Sequence, residues 1–283
     1  MGAQIALQCA VHDYTVWLTD VSKDALDRAS QSQAQELESR IAEQQITGDE
    51  KKAILSRIHF TSDMRESTAG ADLVIEAIPE RLEIKREVFK QLDQVCPSHT
   101  ILGTNSSSIR ISVIEDATQR LDRVLNTHFY APVWEHPMVE LMRGTATSDE
   151  TIERVRKFAQ TIGVTPLLVR KESTGFLFNR VWRAIKKETL HLVDDGVASY
   201  EDVDRAWMIF TGMPIGPFGL MDMVGLDVIR DIEMVYYKES GDESDLPPQL
   251  LLDRIAGGKL GVKAGRGFYS YPHPAFEDPS WLG

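Results

Sequence analysis

The sequence predicts an α/β fold: a doubly wound, mostly parallel sheet with helices on both faces, followed by an all-helical C-terminal domain. Three observations predict it. Up to about residue 170, apolar strand-like runs alternate with amphipathic helical stretches, the pattern of parallel strands joined by crossover helices. From residue 176 on, helical periods dominate and no good strand appears. The opening "MGAQIALQCAVHDYTVWLTD" reads helix, short turn, strand, acidic residue, which is the back half of a mononucleotide-binding unit. The pattern changes after "KESTG", so the boundary is placed near Ser173, with domains at 1–172 and 173–283.

The elements follow in order. Ala3, Ile5, Ala6, Leu7, Ala10 and Val11 recur at helical spacing and predict a helix over 2–12. Val16 and Leu18 alternate with Thr15, Trp17 and Thr19, a strand over 14–20. Ser22 is a suitable cap for a long polar helix running through "DALDRASQSQAQELESRIAEQQ". "IHFTS" (58–62) is a short strand, and the continuous apolar run "ADLVIEAIP" (71–79) is expected to be a buried parallel strand. "ERLEIKREVFKQLDQVC" is an amphipathic helix, and "TILGTNSSS" (100–108) a strand running into a polar turn. "RVLNTHFYAP" and "MVELMRG" are two strands joined by a Pro- and Trp-containing loop. Ser148 caps the helix "SDETIERVRKFAQTIG", "VTPLLV" is a further strand, and "ESGDESDLPP" (239–248) reads as a flexible polar loop.

Composition narrows the function classes. With 283 residues there is room for two domains, and 42% apolar with 26% charged residues is ordinary for a globular protein. No apolar run approaches the ~18 residues of a membrane span, so no membrane partner is expected. Cys9 and Cys96 have neither a disulfide framework nor metal-ligand spacing, which fits a reducing, cytoplasmic setting and no metal. A targeting segment upstream of Met1 would be invisible. The net charge of −12 argues against nucleic acid held by a general basic field, but leaves room for a phosphorylated ligand at a local cationic mouth.

Several residues carry candidate chemistry. In a dinucleotide-binding (Rossmann-type) unit the first strand runs into G-x-G-x-x-G, and an acidic residue ~20 positions on takes the ribose hydroxyls. Gly2 stands where the third glycine belongs, and Asp20 closes the following strand. On that reading a central strand and two glycines, ~10 residues, are expected upstream and missing here. The plainer alternative is an ordinary helix with Asp20 in a turn before Ser22. "NSSS" (105–108) can be simple turn chemistry. His128 and Glu140 lie on consecutive strands; if these are neighbours, the carboxylate can hold one imidazole nitrogen and make the other a base. A satisfied interior histidine is the rival reading, and His136, in the polar loop, is the rival base. Asn179 in "STGFLFNR" falls among apolar neighbours, where a buried amide needs partners. Lys259, Lys263 and Arg266 sit in a turn that either meets a phosphate or is simply solvated.

Taken in order, "MGAQIALQCAVHDYTVWLTDVSKDAL", "LVIEAIPERLEIKREVF", "TNSSSI", "HFYAPVWEHPMVEL", "STGFLFNR", "GVASYEDVDRA", "GMPIGPFGLMDMVGLD" and "GKLGVKAGRGFYSY" resemble the 3-hydroxyacyl-CoA dehydrogenase family over almost the whole chain. The resemblance implies an NAD-binding Rossmann-type domain followed by a helical domain that often forms a dimer contact. It implies Gly2 as the last fingerprint glycine, Asp20 on the adenosine ribose, and Glu80 and Lys85 beside the cofactor. Ser107 and Asn179 would contact the 3-oxygen and thioester region of the substrate. His128 would be the catalytic base, paired with Glu140. Two departures stand out: Ala131–Pro132 where the family commonly has Asn–Pro, and Trp134 in a loop where many members carry smaller residues. "PMVEL" also resembles the lambda-crystallin/L-gulonate dehydrogenase branch, whose members oxidise free hydroxy acids. The expectation is an NAD-dependent L-3-hydroxyacyl-CoA dehydrogenase of fatty acid metabolism. The alternatives are a dehydrogenase of a free 3-hydroxy acid and a catalytically impaired member with a binding role.

Overall fold

The computed structural model describes residues 1–283, which divide into two compact units, Met1–Leu177 and Phe178–Gly283.

The first unit opens with α1 (Gly2–Val11), β1 (Val16–Thr19) and α2 (Lys23–Ala42), the last capped by Ser22, whose side chain accepts from the Ala25 amide. The predicted long helix stops at Ala42, because Gln44 takes a left-handed conformation with φ 60°. Thr47 and Glu50 then form a reciprocal capping box that starts α3 (Gly48–Ser56). β2 (Ile58–Thr61), α4 (Met64–Thr68), β3 (Leu73–Glu76), α5 (Leu82–Val95) and β4 (Ile101–Thr104) follow. β5 (Val124–Phe129), β6 (Met138–Arg143), α6 (Asp149–Thr161, capped by Ser148) and β7 (Thr165–Val169) complete the unit.

β1 pairs with β2, and β3 to β7 form a second sheet in sequence order. All pairs are parallel except β5 with β6. No ladder joins β1 to β3. β3 is therefore an edge: Leu73, Val74 and Ile75 are half-buried rather than buried as the apolar run predicts. The strand ends at Glu76, whose carboxylate turns back to accept the Ile78 amide.

Strand alternation assigns the two faces. Ile101, Leu125, Phe129, Val139 and Leu141 pack against Ile5 and Cys9 of α1 and Ile152, Val155 and Ala159 of α6. Leu102 and Val124 point the other way, onto Phe89 and Leu92 of α5 with Ile111 and Ile114. Gly103 is required where β4 meets β5, since a Cβ there would stand 2.7 Å from the Thr127 hydroxyl. Burial pushes the Cys9 thiol up to about 12, which makes it a core residue rather than a reactive one.

The second unit contains α7 (Phe178–Asp194), α8 (Tyr200–Thr211), α9 (Pro217–Val224), α10 (Leu226–Ser240) and α11 (Gln249–Ala256). Leu190, Phe218, Met221, Leu226, Ile229 and Leu251 form its core with Phe268 and Tyr269 of the C-terminal segment. Asp204 accepts from the Phe218 and Gly219 amides at 2.8 and 3.0 Å and from the Tyr269 phenol at 3.0 Å. Asp222 accepts from the Phe268 and Tyr269 amides at 2.9 and 2.8 Å and from the Tyr271 phenol at 3.1 Å. Gly267 is wrapped so closely on Asp222 that a Cβ would lie 1.9 Å from its carboxylate. The 239–248 segment is tied down, contrary to the flexible loop expected: Asp245 accepts from Arg183 at 2.6 Å, Lys187 at 2.8 Å and Ser240 at 2.7 Å.

Candidate active site

His128 and Glu140 stand directly opposite each other in the antiparallel β5–β6 register. Both lie on the sheet face away from α1 and α6, because their sequence neighbours Phe129, Val139 and Leu141 fill the other face. His128 Nδ1 lies 3.0 Å from Glu140 Oε2, and Glu140 is wholly buried. An ionised carboxylate only accepts, so Nδ1 carries the proton and donates it, leaving Nε2 with its lone pair. Nε2 has no partner within the protein. The pair is therefore a histidine base held in one tautomer by a carboxylate.

Two aromatic residues that sequence reasoning passed over complete this pair. The Tyr130 phenol donates to Glu140 Oε2 at 2.8 Å, and its ring centroid is 4.5 Å from the imidazole. Phe176 stacks at 4.9 Å, tilted by 33°, and its φ of 54° is left-handed, an uncommon state for a bulky residue that marks an over-determined position. The Leu177 amide donates to Glu140 Oε1 at 2.9 Å. Tyr130 was discoverable: two positions beyond His128, it continues the same strand face.

A second constellation holds the turn after β4. Glu80 Oε1 accepts from the Ser106 hydroxyl, from the Ser108 amide and hydroxyl at 2.9 and 2.8 Å, and from the Ile109 amide at 3.2 Å. Burial alone would raise this carboxyl. The Ser106 and Ser108 hydrogen bonds and the Lys85 charge outweigh it and hold the group at about 2. Lys85, only 1% exposed, pairs with Glu76 Oε1 at 2.8 Å and Glu80 Oε2 at 3.3 Å. Its ammonium is a buried strut that supports Glu80 rather than a group offered to a ligand. Ser107 stands exposed at the tip of the turn that these residues fix.

The carboxyl ends of β1 and β3 fit a dinucleotide. Gly2 opens α1 there, and an added Cβ would sit 3.6 Å from Ala77 Cβ and 3.7 Å from a Leu18 methyl. No side chain caps α1 and its first turn holds no acid, so the Gly2 and Ala3 amides are open to an anion. Asp20 is exposed at the end of β1, with Oδ1 accepting the Ser22 amide at 2.8 Å. This is the position where an open α/β sheet takes its ligand.

The remaining sequence candidates fall elsewhere. His136 is exposed in the β5–β6 loop. Trp134 packs on the cluster of Leu7, Ala10, Leu37, Ile54 and Ile58, with the Arg40 guanidinium 5.1 Å over its ring, so it is a core contact. Asn179 belongs to the second unit, half-buried in the first turn of α7. In the same unit Lys263 pairs with Asp227 at 2.7 Å.

The family profile of the 3-hydroxyacyl-CoA dehydrogenase NAD-binding domain matches residues 1–173, and that of the family's C-terminal domain matches 175–271. The chain is 37% identical over 271 residues to the probable 3-hydroxybutyryl-CoA dehydrogenase of Bacillus subtilis (strain 168), covering 96% of this chain and 94% of that protein. It is 36% identical over 277 residues to the mitochondrial hydroxyacyl-coenzyme A dehydrogenase of Homo sapiens, covering 96% and 88%. Among solved structures, (S)-3-hydroxybutyryl-CoA dehydrogenase PaaH1 from Ralstonia eutropha superposes with a TM-score of 0.90 at 35% identity, covering 96% of each chain. With a histidine–carboxylate pair, a dinucleotide-type strand edge and profile matches across both units, the chain belongs to the 3-hydroxyacyl-CoA dehydrogenase family.

Proposed function

We propose that this protein is an NAD-dependent oxidoreductase that interconverts an L-3-hydroxyacyl-CoA and a 3-oxoacyl-CoA. The observation that carries the reading is the buried His128–Glu140 pair, 3.0 Å apart in direct register across β5 and β6. In oxidation, His128 Nε2 takes the hydroxyl proton, and Glu140 stabilises the resulting imidazolium. NAD, when bound, supplies the acceptor for the hydride that leaves the same carbon. In reduction the protonated His128 returns its proton to the oxygen. Ser107, at the tip of the turn fixed by Glu80, is the substrate-oxygen donor in this reading, and Asn179 is kept as a substrate contact. Gly2 and Asp20 are assigned to the pyrophosphate and the adenosine ribose. Glu80 borders the nicotinamide side, with Lys85 behind it.

A homodimer through the helical unit and a cytoplasmic role in fatty acid metabolism belong to the same proposal. Supporting the dimer, Val181, Ile209, Phe210 and Met223 of that unit are 62, 61, 92 and 63% exposed. The test is NADH formation from 3-hydroxybutyryl-CoA, free 3-hydroxybutyrate and L-gulonate under one set of conditions. Turnover of the thioester well above both free acids is expected. Turnover confined to a free acid overturns the substrate assignment.

A further inference from the structure

Glu140 receives a second side-chain donor on the oxygen that holds the histidine. Tyr130 donates to Oε2 at 2.8 Å, and His128 Nδ1 lies 3.0 Å from the same atom. We propose that Tyr130 is a positioning residue that sets the proton affinity of His128 by competing for the charge of Glu140. The proposal deepens the reading of His128 as the base and rests on it.

The Tyr130 hydroxyl is directed at a carboxylate, which only accepts, so the phenol proton points at Glu140 rather than at a substrate. Its ring lies beside the imidazole on the face opened by strand alternation, so the phenol and the imidazole approach Oε2 together. The groups that face the imidazole are Glu140 from β6, Tyr130 from the end of β5, and the uncharged Phe176 ring after β7; Leu177 adds an amide donor to Glu140. Hydrogen bonds to an ionised carboxylate disperse its charge. Each donor besides His128 therefore weakens the hold of Glu140 on the imidazolium. Tyr130 is an adjustable donor, because its side chain can be exchanged where the Leu177 amide cannot. The expected consequence is a weaker hold of Glu140 on the imidazolium while Tyr130 donates than when it does not.

The experiment follows the ring signals of labelled histidine through a pH titration of the full chain. His128 is assigned by loss of its signal in His128→Gln. Tyr130→Phe, which keeps the stacked ring, should raise the His128 midpoint by about 0.5–1 pH unit. In a Glu140→Gln background the same change should produce almost no shift, because the path through the carboxylate is gone. Fluorotyrosine at position 130, a more acidic donor, should move the midpoint down, and it serves if the phenylalanine variant folds poorly. The acid limb of kcat/KM for hydroxyacyl-CoA oxidation should move with the midpoint. An unchanged midpoint in Tyr130→Phe, or an equal shift in both backgrounds, overturns the proposal. Absence of hydroxyacyl-CoA turnover in the unaltered protein would overturn the functional reading instead, while the titration still decides the role of Tyr130.

Discussion

Glu140 in the first unit and Asp222 in the second are close counterparts by ordinary structural measures. Glu140 is 0% and Asp222 1% exposed, and each accepts from a phenol and from the backbone, Glu140 from the Leu177 amide and Asp222 from the Phe268 and Tyr269 amides. They differ in the imidazole. Glu140 also meets an imidazole whose other nitrogen has no partner in the protein, whereas the donors to Asp222 are groups that stay neutral and protonated. Burial and saturated hydrogen bonding therefore identify a carboxylate that the fold needs. They do not identify chemistry, which requires a titratable partner with an outward lone pair.

The comparison breaks most visibly at His128. His128→Gln should leave the melting temperature near that of the unaltered protein and lower kcat/KM by ~10²–10⁴-fold. Near-normal turnover on the best substrate would make the His128–Glu140 pair as structural as Asp222. Asp222→Ala should do the reverse. It strands two amides and a phenol in the core of the second unit, and at ~1–3 kcal/mol per unsatisfied buried group the chain should lose about 3–9 kcal/mol. Denaturant unfolding measures this loss, with activity per folded molecule expected to fall far less than in His128→Gln.

The difference between the two carboxylates also explains what could be read from the sequence. His128 and Glu140 were legible because strand alternation is local and a single register brings the two together. That Gly2 opens α1 and Asp20 follows β1 was legible from the spacing of helix, turn and strand. Asp204 and Asp222 were not, since their donors lie on segments far along the chain and no periodicity links them. Lys85 was visible as a family position, but not its burial against Glu76, which depends on where β3 ends. Two helices were missed for different reasons. The pair Thr47 and Glu50 offered a capping signature for α3 that went unread, whereas α4 spans only Met64–Thr68, too short for helical periodicity to register.

Acid sharpens the contrast between units. Burial raises Asp204 to about 6 from 3.8, against the hydrogen bonds it accepts and helped by the nearby charge of Asp222. A carboxyl that binds its proton more tightly when folded adds stability below its unfolded value, and that stability is lost as pH rises through the folded value. The second unit should therefore lose stability between about pH 4 and 6, by at most ~3 kcal/mol. Glu80 runs the other way. Held at about 2, it stabilises the first unit above 4.5, and this contribution is lost as pH falls toward 2. Hydrogen exchange resolves the two: the Phe218 and Gly219 amides should be better protected at pH ~4.5 than at pH ~6.5, and the Ser108 and Ile109 amides should open first below pH ~4. Asp204→Asn should flatten the first trend alone.

The smallest expected effect belongs to Asp20, a carboxylate that shares neither the burial of Asp222 nor the imidazole of Glu140. It ends β1 in solvent, with one oxygen occupied by the Ser22 amide. Its assigned role is discrimination: the charge hydrogen-bonds a ribose hydroxyl and repels a 2′-phosphate. In high dielectric two unit charges ~4 Å apart repel by only about 1 kcal/mol, and salt screens them further. Asp20→Ser should therefore narrow the preference for NAD over NADP by roughly fivefold rather than reverse it. Raising ionic strength should narrow the preference of the unaltered protein in the same direction and leave that of Asp20→Ser nearly constant. The measurement is kcat/KM for both cofactors in both proteins at low and high salt. A preference that ignores the substitution and the salt alike would reduce Asp20 to the turn residue that orients Ser22, and would join it to Asp222 as a carboxylate the fold uses and the chemistry does not.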